Sequence, residues 1–382
     1  DGVADGRINY IPQSVIDSYL DEVSKQGIHT DLVKSSGLKV VYTPLNGTGN
    51  KPVRAILKKI GVEDVTVVPE QEYPDGNFPT CPFPNPEIKE ALAKGLELCN
   101  VVKPDLLLAT DPDCDRVGIA VPSDNGYELF TGNEVGAMLL EYICSERTKM
   151  GTMPADPVAV KTIVTTDIAA KIAKEYGVKL IEVLTGFKFI GEQIGFLEDK
   201  GQEDRYIFGF EESYGYLAGS YVRDKDAVVA SMLICEMAAF YRTKGISLIQ
   251  ARENMYKKYG VYVHSQSSFV CEGVTGMERM KEIMSDLRTN TPKTIGGLTV
   301  TRFEDYLAST SVDTATGAKT MLTLPKSDVL TFKLTDGASV IIRPSGTEPK
   351  IKAYYTTTGT TKAEAAALEK TISDDFAKIL GF

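Results

Sequence analysis

The sequence predicts an α/β protein with two repeated mixed α/β/α domains followed by a smaller α+β C-terminal domain. Strand-like apolar runs alternate with helix-like runs through the first two thirds of the chain, which is typical of sheets covered by helices. Residues 51–69 and 168–184 share one layout of a helix, a Gly-Val pair and a strand, and this indicates a duplication. From about residue 265 the pattern changes to one long helical run and several strands.

The length of the chain indicates more than one hydrophobic core, because 382 residues exceed an ordinary single domain. We expect domains over residues 9–131, 132–264 and 265–382. The chain opens on Asp1 without an initiator Met, so we interpret it as a fragment or a processed product.

Composition argues against several classes of function. The net charge of -10 disfavours nonspecific nucleic-acid binding. No apolar run in the sequence is long enough to span a bilayer, and no signal peptide is recognisable. The six cysteines lack Cys-x-x-Cys pairs, which is typical of reduced thiols. We therefore expect a cytoplasmic protein that binds neither nucleic acid nor membranes.

The first repeat begins with a helix that Pro12 opens and Gly27 ends. A strand, a helix and a second strand then form the unit typical of a parallel sheet. These three elements are predicted at residues 38–42, 51–60 and 65–68, and a helix and a strand follow at 86–100 and 105–109.

The second repeat follows a helix at residues 132–144 and ends its own helix at Gly177. Its strands are predicted at residues 158–160 and 179–184, with a helix at 167–176. In the C-terminal domain, helices are predicted at residues 276–287 and 362–380, and strands at 331–333, 338–342 and 351–355.

Three aspartates interrupt an apolar run over residues 106–120. On an extended backbone, side chains two residues apart share a face, so Asp111, Asp113 and Asp115 should converge. Two carboxylates about 4 Å apart repel by roughly 4 kcal/mol at an effective dielectric of about 20, and a hard cation would remove that repulsion. Oxygen-only ligation indicates Mg²⁺, with Mn²⁺ and Ca²⁺ as weaker candidates. The alternative is a solvated acidic turn.

The neighbouring residues limit what kind of metal loop this is. An EF-hand would need Gly where Arg116 stands and Glu where Pro122 stands, so that class is excluded. Arg116 is then a candidate partner for a phosphate or a carboxylate.

A second polar segment, Glu-Glu-Ser-Tyr-Gly at residues 211–215, offers carboxylate and hydroxyl groups suited to sugar hydroxyls. The alternative is an ordinary polar turn. Downstream, Lys225 stands among acids; it is either part of a solvated charge run or a general acid/base over a reacting hydroxyl.

A third segment, residues 343–350, combines hydroxyls, a glycine and two cations. Backbone N–H groups around Gly346, with Arg343 donating as a fork, suit a phosphate. Turn chemistry alone is the alternative, and the pattern is not a Walker loop. Taken with the other two segments, it indicates a phosphorylated sugar as the ligand.

These segments, in this order along the chain, resemble the α-phosphohexomutase family, most closely its bacterial phosphoglucomutase branch with phosphopentomutase-like members. The segments are Asp-Pro-Asp-Cys-Asp-Arg at 111–116, Thr-Gly-Phe-Lys-Phe at 185–189, Phe-Glu-Glu-Ser-Tyr-Gly at 210–215 and Arg-Pro-Ser-Gly-Thr-Glu-Pro-Lys at 343–350. The resemblance implies interconversion of hexose 1-phosphate and 6-phosphate through a phosphoserine and a bisphosphorylated intermediate.

The resemblance also implies a role for individual residues. Mg²⁺ would be bound by Asp111, Asp113 and Asp115, with Arg116 beside the transferring phosphate and Lys225 as the acid/base. The sugar would be held by Thr185, Gly186, Glu211 and Ser213, and the phosphate that is not transferred by Arg343, Ser345, Gly346 and Thr347. The implied partners are glucose 1-phosphate or glucose 6-phosphate and a bisphosphorylated sugar activator, while mannose and pentose phosphates stay open.

One departure from the family pattern is decisive. The first domain of the family carries its phosphoserine in a Thr-Ala-Ser-His-Asn-Pro-like loop, and neither His29 nor His264 stands in such a loop. The resemblance therefore covers domains two to four and implies that residues 1–8 are the tail of the domain before them. We expect this fragment alone to be inactive. Two other functions stay open, a metal-dependent phosphatase with Asp111 as nucleophile and a noncatalytic sugar-phosphate-binding module.

Overall fold

The computed structural model describes residues 2–271, 275–346 and 348–382. The described chain forms two compact units. The first runs up to Thr165 and includes Ala169–Glu253; the second comprises Thr166–Ile168 and Asn254–Phe382.

The first sheet of unit 1 has five strands in the order β2-β1-β3-β4-β5. Strand β1 pairs in parallel with β2 and β3, whereas β4 and β5 are added antiparallel. The strands are β1 Lys39–Thr43, β2 Asp64–Val67, β3 Leu106–Thr110, β4 Val117–Ser123 and β5 Gly126–Phe130. The helices that accompany them are α1 Gln13–Ser24, α2 Thr30–Ser36, α3 Asn50–Lys59 and α4 Ala93–Val102. The helix predicted over residues 86–100 therefore begins later, after a short 3-10 turn at Lys89–Leu92.

The second sheet of unit 1 repeats the arrangement with four strands in the order β7-β6-β8-β9. Strand β6 pairs in parallel with β7 and β8, and β9 is antiparallel to β8. The strands are β6 Val158–Thr162, β7 Lys179–Val183, β8 Tyr206–Glu211 and β9 Gly215–Leu217. The helices are α5 Gly132–Met150, α6 Ile168–Tyr176, α7 Phe187–Glu198 and α8 Ala227–Thr243, followed by α9 Leu248–Tyr259, whose residues from Asn254 onward are assigned to unit 2. The units β1-α3-β2 and β6-α6-β7 confirm the predicted duplication.

Helix α5 illustrates how local sequence starts and buries a helix. The Thr131 hydroxyl accepts from the Glu134 amide at 3.2 Å, and the Glu134 carboxylate accepts from the Thr131 amide at 2.9 Å. Gly151, at φ 68°, ends the helix. Most of its side chains are buried, as are those of α8, so these two helices form much of the apolar interior of unit 1.

Unit 2 contains an antiparallel sheet that shares one hydrophobic core with two long helices, as the predicted α+β class requires. The strands are β10 Val261–Val270, β11 Thr294–Ile295, β12 Leu298–Asp305, β13 Thr310–Asp313, β14 Lys319–Met321, β15 Leu330–Leu334, β16 Ser339–Pro344 and β17 Lys350–Gly359. The helices are α10 Gly276–Thr289 and α11 Lys362–Ile379. Phe332 and Tyr355 of the sheet contact Phe376 of α11, and all three are buried. In the part of the chain described here, no helix has the length and apolar character needed to cross a membrane.

Two helical glycines provide a matched test of packing in unit 1. A Cβ added at Gly136 of α5 would lie 2.0 Å from the buried Phe210 ring of β8, whereas one added at Gly195 of α7 would meet no atom within 4 Å. We expect Gly136→Ala to lower the free energy of unfolding by about 1–3 kcal/mol through overpacking. Gly195→Ala should raise it by about 0.5–1 kcal/mol through helix propensity. Urea titrations of both variants measure this, and equal effects at the two positions would contradict the packing.

Candidate active site

The acid loop, residues 111–116, connects β3 to β4 and is a tight turn. The prediction of an extended backbone was wrong: Cys114 has a left-handed φ of 63°, and its amide donates to the Asp111 carbonyl at 3.0 Å. The Asp111 amide donates to the Arg116 carbonyl at 3.2 Å and closes the loop. Convergence therefore comes from the turn. Carboxylate oxygens within 4.8 Å of one another belong to Asp111, Asp113 and Asp115.

Asp111 is the buried member of the three, with 1% of its surface exposed. Its Oδ1 accepts from the amides of Asp115 at 3.0 Å and Arg116 at 2.8 Å, and its Oδ2 accepts from Arg116 Nε at 2.8 Å. Burial raises the pKa of the Asp111 carboxyl, and the hydrogen bond from the Arg116 amide opposes that rise. A buried carboxylate so enclosed organises the loop around itself.

Asp115 carries the oxygen that points to a cation. Its Oδ2 accepts from Lys225 Nζ at 2.8 Å, whereas its Oδ1 is buried without a hydrogen-bond partner and lies 3.7 Å from Arg116 Nε. A buried oxygen without a donor is costly, and an oxygen-preferring divalent ion would satisfy it. The three carboxylates present therefore fit such an ion.

Arg116 is engaged by carboxylates on two sides. Besides its bond to Asp111, its Nη1 lies 3.3 Å from Glu87 Oε1. Glu87 was not identified from the sequence, because no motif surrounds it and it falls in the helix predicted over residues 86–100. The prediction that Arg116 contacts a phosphate stays a prediction, and its contacts here are with carboxylates.

The polar loop, residues 211–215, connects β8 to β9 in the second sheet. Glu211 is buried at the end of β8, and burial raises the pKa of its carboxyl to about 7, with the Glu212 charge adding to the rise. Glu212 Oε2 lies 3.2 Å from Thr162 Oγ1 and 3.4 Å from Thr165 Oγ1. In this loop the Glu212 carboxylate therefore contacts threonine hydroxyls, and the Glu211 carboxyl has a pKa of about 7.

The acid loop and the polar loop touch directly. Arg116 and Gly215 form an isolated antiparallel bridge, and the Val117 amide donates to the Tyr214 carbonyl at 3.1 Å. Lys225, which precedes α8, then reaches Asp115. The structure therefore brings together the predicted site residues of the acid loop, the polar loop that Glu211 begins, and Lys225.

Thr185 and Gly186 lie after β7, at the sheet edge where β8 also ends, because β7, β6 and β8 are parallel. Thr185 Oγ1 is buried without a hydrogen-bond partner, and Gly186 has a φ of 120° that favours glycine. The Ser213 hydroxyl bonds the Glu211 carboxyl and opposes the rise in its pKa. These three residues thus belong to the same edge as the polar loop.

In unit 2 the predicted phosphate residues Arg343, Ser345 and Gly346 lie at the end of β16 and in the turn after it. Arg343 Nε donates to the Tyr354 hydroxyl at 3.3 Å, and the Ser345 amide donates to the Lys350 carbonyl at 2.8 Å. Gly346 is exposed, and Lys350 pairs with Glu348 at 2.5 Å. Thr347 lies outside the described residues.

Three family domains match the chain in succession. Residues 17–125 match phosphoglucomutase/phosphomannomutase α/β/α domain II, residues 131–259 match α/β/α domain III, and residues 288–374 match the C-terminal domain. Together they account for most of the chain, in the order in which the repeats and the antiparallel sheet occur.

Individual proteins agree with that match. Phosphoglucomutase from Staphylococcus aureus strain MRSA252 is 36% identical over 348 residues, covering 91% of this chain and 61% of that protein. The chain thus spans about three fifths of the length of the curated relatives it matches.

Solved structures agree in fold. Parafusin, a phosphoglucomutase from Paramecium, has a TM-score of 0.68 at 19% identity over 96% of this chain and 62% of that one. A phosphoglucomutase/phosphomannomutase family protein from Burkholderia thailandensis has a TM-score of 0.63 at 16% identity over 96% of this chain and 64% of that one. With three matched domains and relatives at 36% identity, the chain belongs to the α-phosphohexomutase family, that of the phosphoglucomutases and phosphomannomutases.

Proposed function

We propose that the protein containing this chain is a phosphoglucomutase-type mutase that interconverts hexose 1-phosphate and hexose 6-phosphate. The observation that carries the proposal is the contact among the acid loop, the polar loop and Lys225. In it, Lys225 Nζ lies 2.8 Å from Oδ2 of Asp115, a candidate metal ligand. The Staphylococcus aureus phosphoglucomutases, at 36% identity, support the same reaction. The domains proposed for it are residues 9–131, 132–264 and 265–382.

The acid loop supplies the candidate metal site of this reaction. Mg²⁺ would be held by Asp111, Asp113 and Asp115, and when bound it would offset charge that develops on a transferring phosphoryl group. Arg116 keeps Asp111 in place and adds positive charge beside it. Lys225 is proposed to exchange a proton with the reacting sugar hydroxyl, since its ammonium group lies against the same loop.

The sugar would be bound by the polar loop and the edge next to it. Glu211, with a pKa raised to about 7, can donate as well as accept near neutral pH. Ser213 and the Thr185 hydroxyl, which is buried without a hydrogen-bond partner, add groups suited to sugar hydroxyls, and Gly186 gives the backbone after Thr185 its φ of 120°.

The phosphate that is not transferred would be bound in unit 2 by Arg343, Ser345 and Gly346, with Thr347 as a further proposed ligand residue. A separate phosphate site would let a bisphosphorylated sugar bind in either orientation, so a bisphosphorylated sugar is the proposed activator and glucose phosphates the proposed substrates. The phosphatase alternative has less support, because Asp111 is 1% exposed and both its oxygens accept hydrogen bonds.

We expect no turnover by these 382 residues alone. They contain no Thr-Ala-Ser-His-Asn-Pro-like segment, so we propose that they bind the sugar phosphate without converting it. Glucose 1-phosphate and glucose 1,6-bisphosphate should yield no glucose 6-phosphate in a coupled assay, with the Staphylococcus aureus enzyme as positive control. Robust conversion by this chain would contradict the proposal.

Removing one charged ligand should weaken the binding of Mg²⁺ to the acid loop. Asp115→Asn should weaken Mg²⁺ binding by about tenfold or more, because it removes a charged oxygen ligand. Asp124→Asn, in the hairpin between β4 and β5, serves as the control and should leave the affinity unchanged. Isothermal titration of the chain with Mg²⁺ measures both. Equal affinities in the two variants would remove Asp115 from the site.

The raised pKa of the Glu211 carboxyl should make the stability of the folded chain depend on pH. A carboxyl whose pKa is raised by folding binds more protons in the folded state, so stability falls as pH rises from about 4.5 to about 7. Glu211→Gln removes that loss. Relative to the unmodified chain, the variant should gain on the order of 1–3 kcal/mol between pH 5 and pH 8 in urea titrations.

Glu192→Gln, on the exposed face of α7, is the matched control for this measurement. Its stability difference from the unmodified chain should not change between the two pH values. A constant difference for Glu211→Gln as well would mean that the carboxyl titrates normally.

A further inference from the structure

Asp226 stands between Lys225 and the first turn of α8, and one of its oxygens caps that helix. Oδ1 accepts from the Val228 amide at 2.7 Å and from the Val229 amide at 3.3 Å. This is an ordinary N-cap, which needs a single side-chain oxygen. The other oxygen is therefore available for a second role.

Asp226 Oδ2 accepts from two tyrosine hydroxyls. Tyr221 donates at 2.6 Å from the segment just before α8, and Tyr19 donates at 2.8 Å from α1, 207 residues away in the chain. Burial raises the pKa of both tyrosines, and the Asp226 charge raises it further, so both hydroxyls stay protonated donors. We call these three residues the Asp226 clamp. Helix capping alone does not require it.

The backbone on both sides of the Asp226 side chain is tied to the two site loops. The Asp226 amide donates to the Tyr216 carbonyl of β9 at 3.0 Å. The Ala227 amide donates to the Cys114 carbonyl of the acid loop at 3.2 Å. The Asp226 clamp thus holds in place the backbone of Asp226 and Ala227, which is hydrogen-bonded both to β9 and to the acid loop.

The side chain of Lys225 extends from the backbone next to Asp226 across Gly215 to the acid loop. A Cβ added at Gly215 would lie 2.6 Å from Lys225 Cδ, so the lysine stem passes directly over the glycine. Its ammonium group then reaches Asp115 Oδ2 at 2.8 Å, and only 18% of the side chain is exposed. The lysine is confined at its backbone by the clamp and along its stem by Gly215.

We propose that Asp226, clamped by Tyr19 and Tyr221, is a positioning residue that holds the Lys225 ammonium group against the acid loop. The proposal rests on the proposed function for its significance, since Lys225 is the acid/base of that reaction. The position of Lys225 is nevertheless measurable without turnover.

The test is a zero-length cross-link. A water-soluble carbodiimide activates the Asp115 carboxyl, and attack by Lys225 Nζ forms an amide that mass spectrometry detects after digestion. The Tyr19→Phe/Tyr221→Phe variant should lower the yield of this cross-link by about fivefold, because Asp226 loses both hydroxyl donors. Tyr10→Phe, at a tyrosine that is 83% exposed, is the matched control and should leave the yield unchanged.

Two other ion pairs serve as internal references. Lys59 and Asp21, 2.7 Å apart, report whether α1 stays docked, and Lys94 and Glu97, 2.9 Å apart, report reagent efficiency. Selective loss of the Lys225–Asp115 cross-link supports the proposal. With yields normalised to the Lys94–Glu97 cross-link, an unchanged Lys225–Asp115 yield, or an equal fall of the Lys59–Asp21 cross-link, overturns it.

Gly215→Ala perturbs the lysine stem without touching the clamp. It should lower the Lys225–Asp115 cross-link to a similar extent, and an unchanged yield would overturn the route assigned to the lysine. Turnover by the complete protein separates the two proposals. If the double tyrosine variant loses the cross-link but keeps its kcat, the positioning stands and the acid/base role of Lys225 fails.

Discussion

The carboxylate of Asp111 is the group on which the candidate site depends. It is buried at the end of a fully buried strand, where an uncompensated charge would be strongly destabilising. Two backbone amides and the Arg116 guanidinium compensate it, and these bonds wrap the acid loop around it. The positions of Asp113, Asp115 and Arg116 follow from that wrapping. A break in this arrangement would leave a buried charge and a loop without its organising contact.

The duplicated sheets explain why two different loops meet. In each repeat, parallel strands direct a loop to the carboxyl edge of the sheet, where ligand sites of α/β proteins form. Small residues allow the close approach: a Cβ at Gly132 would lie 2.2 Å from the Glu212 carbonyl, and one at Gly47 would lie 2.3 Å from Pro112 Cα. The first repeat contributes the acid loop, and the second contributes the polar loop and Lys225. One fold thus supplies both halves of the site.

Local chemistry predicted much of this arrangement. Apolar runs, the Gly-Val stops and the strand-helix-strand order gave the duplicated α/β fold, which the structure confirms, because these signals act over a few residues. Boundaries were less accurate, as in α4, which begins at Ala93 after a 3-10 turn, and α7 was not predicted. The convergence of the three aspartates was correct although its cause was wrong, since a turn at Cys114 brings them together.

By itself, the sequence determined which residue types could do the chemistry and in which repeat they stand, because composition and spacing are local properties. Only the tertiary structure decided their partners. Glu87 on Arg116, Lys225 on Asp115 and Tyr19 on Asp226 are separated by 29, 110 and 207 positions along the chain, and only folding brings such distant groups into contact. No periodicity in the sequence encodes which of several acids a given cation will meet. That choice is made by the packing of the two sheets and the helices around them.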